Sequence, residues 1–221
     1  MQDIKERFSS LFPFWDKLCG EEQEALCRAT SIQEYARGEV VHSGGSCAGL
    51  TVVDKGCIRA SLLSEEGREI TLYRIEAGDF CMLSASCVIE AVTFDVQFTA
   101  EEPCVCLILP AGVFASVTKH LPQAEIFALN KTVERFSDVM WVMQQVLFLS
   151  LDRRLATFLI DESVRTASDV LSLTHEEIAR NIASAREATS RLLKYFEKEG
   201  WVALSRGKIT LLDRAALRRL T

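Results

Sequence analysis

The sequence predicts an α+β chain: a helical start, a small antiparallel barrel or roll, one long helix, and a C-terminal winged helix-turn-helix. Three observations carry that prediction. Short β-type runs separated by glycine turns fill residues 31–114. A heptad of apolar residues follows them. Two helix-start signals then stand close together ahead of a hairpin pattern.

The 221 residues, 48% apolar and 25% charged, have ordinary globular composition and suffice for one large or two small domains. The longest unbroken apolar run, Cys104 to Phe114, contains Pro110 and Gly112 and falls far short of the roughly 20 residues of a membrane-spanning helix. No membrane insertion is expected. The start, Met1-Gln-Asp-Ile-Lys-Glu-Arg-Phe8, mixes both charge signs and leads into no apolar core, so a cytoplasmic protein without a signal peptide is expected. In such a chain the eight cysteines are expected as reduced thiols. There is no Cys-x-x-Cys pair, and the histidines His42, His120 and His175 do not stand at zinc-finger spacing, so no structural metal is expected.

Taken in order, residues 1–30 read as helical, with Phe8, Leu11, Phe12, Trp15 and Leu18 at mostly three- and four-residue spacing. Strands are expected at Val40–His42, Leu50–Val53, Ile58–Leu63, Ile70–Ile75, Phe94–Thr99 and Val105–Leu109, punctuated by turns such as Asp54-Lys55-Gly56 and Ala77-Gly78-Asp79. After Pro110 the period becomes helical. Leu129, Val133, Phe136, Met140, Met143 and Leu147 fall at spacings of 4, 3, 4, 3, 4, a seam that predicts self-association of this helix in a homodimer. A second helix follows from about Leu151 to Val164, then a polar loop at Thr166–Asp169. The expected domains are an effector-sensing roll with its N-terminal helix at residues 1–118, a dimerisation helix at 119–149, and a winged helix-turn-helix at 150–221.

Charge divides the same way. Residues 175–221 carry a net +4 and residues 1–174 a net −10, within an overall −6. A basic end on an acidic body fits a nucleic-acid reader with a separate sensing part. In that end, Thr174 with Glu177 and Ser184 with Glu187 are expected to form two capping boxes, each opening a short helix. Ile178, Ala179 and Ile182 supply the inner face of the first helix, and Leu192, Leu193 and Phe196 that of the second. Small residues at Ala183, Ser184 and Ala185 leave room for a tight turn.

Arg186, Glu187, Ser190, Arg191 and Lys194 share one outward stripe of the second helix. Such side chains suit a major groove: arginine can bond guanine O6 and N7, glutamate can accept from cytosine N4, and serine can bond a base edge or a phosphate. Glu187 and its arginine neighbours could equally form a solvated helix face. The run Trp201–Leu204, Arg206-Gly207-Lys208 and Ile209–Leu212 reads as a hairpin with a basic tip, which favours duplex DNA. Thr174, His175 and Ser184 are added as candidate DNA contacts near the two helix starts.

With these parts in place the chain resembles the Crp/Fnr family of bacterial transcription regulators over essentially its whole length. Ser184-Ala-Arg186-Glu187-x-x-Ser190-Arg191 looks like the family's recognition-helix motif, and Ser190 matches the serine of the Fnr branch. The resemblance implies a double-stranded β-roll of the cyclic-nucleotide-binding, jelly-roll type and base reading by Arg186, Glu187 and Arg191. It also implies a homodimer on a two-fold operator in double-stranded DNA, with RNA polymerase as a partner if the protein activates. Half-sites would lie about one helical turn, ~34–36 Å, apart.

The departures bear on the effector. In cyclic-AMP-binding members a Gly-Glu pair follows the Gly-Asp-Phe turn and an Arg-Ser or Arg-Thr pair comes later. Here Gly78-Asp79-Phe80 leads into Cys81-Met82-Leu83-Ser84, and the later position reads Thr93-Phe94-Asp95. Cyclic AMP is therefore not expected, and the N-terminal cysteine cluster of iron–sulfur members is absent. Cys81, Met82, Ser84, Ser86, Cys87, Phe94 and Asp95 are the candidate effector-pocket residues. Cys81, Cys87, Cys104 and Cys106 could be a redox or metal-binding group or small buried hydrophobes, and His42 or His120 could serve a haem. No catalytic motif is visible, so an enzyme is not expected. The alternative to a DNA-binding regulator is a redox-active or ligand-binding roll acting through protein contacts.

Overall fold

The N-terminal segment is three short helical pieces rather than one run. The computed structural model describes residues 2–43, 49–65, 67, 69–81 and 96–221. In it α1 (Gln2–Leu11) stops ahead of Pro13, a 3-10 turn spans Trp15–Lys17, and α2 (Gly20–Ala29) completes the segment. Proline lacks an amide and disfavours helical backbone just before it, which periodicity alone does not register. The break lets Phe8, Phe12, Phe14 and Trp15 all turn inward, each no more than 3% exposed. Phe12 packs against Phe8 at 5.0 Å between centroids, Phe80 at 5.4 Å and Phe127 at 5.8 Å. Tilted and edge-on rings at such distances add to plain area burial.

The chain divides into two compact units, residues 1–62 with 73–139 and residues 63–72 with 140–221. Two four-stranded sheets form the roll. The first contains β1 (Ser31–Tyr35), β3 (Leu50–Lys55), β6 (Phe80–Cys81) and β8 (Cys104–Leu109) in the order β1-β8-β3-β6. The second contains β2 (Val40–Ser43), β4 (Cys57–Leu63), β5 (Glu69–Glu76) and β7 (Val96–Ala100) in the order β2-β7-β4-β5. Antiparallel register places Gln33 beside Cys106, Thr51 beside both Ile108 and Cys81, and His42 beside Phe98. Gly56 turns β3 into β4 at φ +82°, and a Cβ there would stand 2.3 Å from the Pro103 carbonyl oxygen, so only glycine fits.

After α3 (Ala111–Thr118) the chain enters α4 (Pro122–Phe148). One face of α4 buries Ala124, Ala128 and Arg135. The Arg135 guanidinium is ion-paired with Asp79 and Asp138 and lies over the Tyr73 ring, 5.2 Å from its centroid. A cation this buried needs such partners, and here they tie the helix to the β5–β6 end of the roll. The opposite face is apolar and uncovered. Leu129, Val133, Phe136, Met140, Met143 and Leu147 are all exposed, Phe136 by 65% and Leu147 by 67%.

The second unit contains α5 (Leu151–Arg165), β9 (Val170–Leu171), α6 (His175–Asn181), α7 (Arg186–Lys198), β10 (Val202–Ser205), β11 (Lys208–Leu211) and α8 (Arg214–Leu220). Its core joins Leu155, Leu159, Ile178, Leu193, Phe196 and Ile209, each at most 1% exposed. A three-stranded sheet in the order β10-β11-β9 closes one side.

Candidate nucleic-acid interface

Local chemistry sets the start of α6. Thr174 Oγ1 accepts from the Glu177 amide at 3.1 Å, and Glu177 Oε2 accepts from the Thr174 amide at 2.7 Å. This is the expected capping box, in which two orphan donors are satisfied reciprocally.

The second expected box, Ser184 with Glu187, does not form. Ala183 takes the left-handed backbone at φ +51°, and the Ser184 amide reaches back to the Ala179 carbonyl at 2.9 Å. The turn thereby shifts the N-cap of α7 to Ala185, which has no side-chain cap bond. Glu187 sits one position too early to close a box, and Ser184 Oγ points to the Ala185 carbonyl at 3.4 Å. As a result Glu187 stands exposed in the first turn of α7, near the positive end of the helix dipole.

Burial splits α7 cleanly. Thr189, Leu193 and Phe196 are buried, whereas Arg186, Glu187, Arg191 and Lys194 are exposed and Ser190 is half-buried. Leu192, expected on the inner face, is partly buried and packs against the same core. The helix pair is braced from α5, where the Arg154 guanidinium donates to the Ile182 carbonyl at 2.7 Å. His175 Nδ1 lies 2.8 Å from Ser190 Oγ, joining the first turn of α6 to the outer stripe of α7. Burial, followed by the charges of Arg186 and Lys194, holds this imidazole below its ordinary 6.5.

Beyond α7, β10 and β11 make a hairpin whose tip presents exposed Arg206 and Lys208, with Gly207 at φ +69°. The Leu204 amide donates to Glu197 Oε1 at 3.0 Å, tying this wing to α7. Thr174 is exposed and Ser184 half-buried at the two helix starts. One compact unit thus displays Arg186, Arg191, Lys194, Arg206 and Lys208 as exposed cations.

Of the effector-pocket candidates, Met82, Ser84, Ser86, Cys87, Phe94 and Asp95 lie outside the described residues. Cys81 is buried and lines a cleft of about 370 Å³ between the two sheets of the roll. One wall adds Ser31, Gln33, Tyr35, Thr51 and Ile108, and the other Val41, His42, Ile58 and Phe98. Sequence reasoning missed this set because it is assembled by register: Ser31, Ile108, Thr51 and Cys81 are cross-strand neighbours far apart in the chain. The polar β1, which would have supplied the signal, does not read as a strand.

Cys104 and Cys106 are buried with their sulfurs 4.0 Å apart. Burial pushes both thiols above their ordinary 9.0, which disfavours the thiolate. Among the described residues no group of three or more His, Cys, Asp or Glu is arranged to hold a metal. His120 has both ring nitrogens engaged, with Ser116 O at 2.7 Å and Glu22 Oε1 at 2.5 Å. Among the described residues no helix is long and apolar enough to cross a membrane.

Two family models match the chain: a cyclic nucleotide-binding domain over residues 32–120 and a Crp-like helix-turn-helix domain over residues 153–220. A solved transcriptional regulator of the Crp/Fnr family from Eubacterium rectale is 39% identical, with a TM-score of 0.90 over 96% of this chain and 98% of that one. The transcriptional regulator LdrP of Thermus thermophilus is 28% identical over 193 residues, covering 85% of this chain and 95% of its own. A solved CRP-family regulator from the same species is 24% identical, with a TM-score of 0.70 over 85% of this chain and 95% of that one. A roll of this type, a long helix and a helix-turn-helix define a DNA-binding transcriptional regulator. The chain belongs to the Crp/Fnr family.

Proposed function

We propose that two copies of this chain, paired through α4, read a two-fold operator in duplex DNA. In this reading Arg186, Glu187 and Arg191 meet base edges in the major groove, while Ser190 and Lys194 serve base or phosphate. Thr174, His175, Ser184, Arg206 and Lys208 hold the flanking phosphates. The observation that carries the reading is the division of α7, whose inner residues are core and whose opposite face carries exposed Arg186, Arg191 and Lys194 beside the basic wing. The uncovered seam from Leu129 to Leu147 supports pairing, because an apolar stripe of this length is unfavourable in water.

The β-roll senses a small molecule or a redox signal. Its state biases how the two α4 helices pack and hence the spacing of the recognition helices, a population shift between two arrangements of the dimer. The work is cytoplasmic, where the DNA is, and RNA polymerase is the partner if the regulator activates.

Duplex binding measured against salt tests the DNA reading. Affinity should fall steeply as salt rises, with a log–log slope of about −0.9 for each phosphate neutralised. Affinity indifferent to salt would instead favour a C-terminal unit that contacts protein.

A further inference from the structure

The geometry points to an uncharged, planar, aromatic or heteroaromatic compound as the ligand of the cleft between the two sheets of the roll. The inference deepens the sensing reading above and rests on it only for the regulatory consequence of binding.

Three observations carry it. First, the cleft is a real recess rather than a packing defect: its volume of about 370 Å³ lies at the lower end of the ~300–1,000 Å³ usual for small-molecule sites. Thr51, Ile58 and Phe98 are buried in it while Gln33 lies exposed at the rim, so it has depth and an opening.

Second, the described part of its walls carries no charge. The described residues that line it include no Lys, Arg, Asp or Glu. A carboxylate, phosphate or ammonium carried into it would lose its hydration with no opposite charge among these described residues to meet it, which is costly. The Tyr35 phenol stays neutral, because burial pushes it above its ordinary 10.

Third, the polar and flat groups face one another. On one wall the Tyr35 hydroxyl donates to the Gln33 side-chain oxygen at 2.9 Å, which leaves the Gln33 amide N–H groups and a Tyr35 lone pair for a guest. On the other wall the rings of His42 and Phe98 lie 6.2 Å apart and tilted by 35°. A flat ring between these walls gains stacking on one side and hydrogen bonds at its edge, the pairing of a large apolar contact with a few placed polar groups that defines small-molecule sites.

The test is calorimetric titration of the full-length protein at neutral pH with matched probes: benzamide, 4-hydroxybenzamide and 2-naphthamide, each against the carboxylate of the same ring. Shape is then held while charge changes. At least one amide should bind saturably, and its carboxylate should bind at least about tenfold more weakly, a difference of about 1.4 kcal/mol. Gln33→Leu and His42→Ala, both at strand positions outside the closed core, should each weaken the amide about tenfold while leaving the thermal midpoint of the free protein near that of the parent. Phe98→Leu serves as a third variant if it folds. No saturable amide, equal binding of amide and carboxylate, or unchanged binding in both variants would overturn the inference. An amide that binds as expected without altering operator affinity would uphold the ligand class and sink the sensing reading. Operator affinity that responds to another compound while every amide fails would do the reverse.

Discussion

His175 at the start of α6 and Ser190 on the outer stripe of α7 are joined by a hydrogen bond of 2.8 Å, so the imidazole is part of the surface that faces DNA in the proposed complex. In the free protein it is held below its ordinary 6.5 by burial and by the cations Arg186 and Lys194. Its contribution to stability is therefore complete above pH 6.5 and is lost as pH falls through the lowered folded value. Phosphates act in the opposite sense and favour the imidazolium. Binding should take up a proton, and affinity for a duplex should rise as pH falls from above 6.5 toward the lowered value. Fluorescence anisotropy across that window checks this; His175→Gln should flatten the profile, and a parent profile already flat would remove His175 from the interface.

The two helix starts should respond differently to the same kind of change. Thr174→Ala removes a cap that forms and should cost about 1 kcal/mol of unfolding free energy. Ser184→Ala removes a hydroxyl that caps nothing and should stay within about 0.5 kcal/mol. Urea denaturation of the two variants decides the matter, and equal losses would mean that Ser184 supports the turn in some other way.

Base reading and phosphate anchoring separate by their signatures. Arg186→Ala should weaken discrimination at one base pair by about 1–3 kcal/mol, whereas Lys208→Ala should weaken every duplex alike and reduce the salt slope by about 1. Competition binding with single-base variants of a selected site shows which pattern each substitution gives. If Arg186→Ala left discrimination intact, the outer stripe of α7 would not be the reading head.

Val133 and Phe136, 64% and 65% exposed on the uncovered face of α4, should lie at the centre of the dimer contact. Phe136→Asp should shift the protein from dimer to monomer in sedimentation, with thermal stability of each unit little changed. Operator affinity should fall by about 10²–10⁴, the usual gain from linking two half-site contacts. A variant still dimeric and still tightly bound would place the contact elsewhere.

The regular parts of the fold were legible because their signals are local. Alternation and glycine turns marked β2 through β5, β7 and β8, and the helical period marked α4 and α5 to within a few residues. Elements whose identity depends on a neighbour were not. β1, Ser-Ile-Gln-Glu-Tyr, is mostly exposed and becomes a strand only through its pairing with β8, and β6 and β9 are two residues each. The same limit applied to the sites. The stripe on α7 could be read from spacing, since every residue lies within nine positions of Arg186. The cleft could not, since Gln33, His42, Thr51 and Phe98 meet only after two sheets have folded face to face. The failure of the Ser184 box came from a single backbone torsion at Ala183, where a left-handed alanine shifted the helix start by one residue.

Paired reading of a two-fold operator is tested most directly by selection of bound sequences from a random duplex pool by the full-length protein. A dimer with two recognition helices should enrich an inverted repeat whose half-site centres lie about 10–10.5 base pairs, or a small multiple of that, apart. Enrichment of a single asymmetric site, or of no sequence at all under conditions where the protein is dimeric, would contradict it.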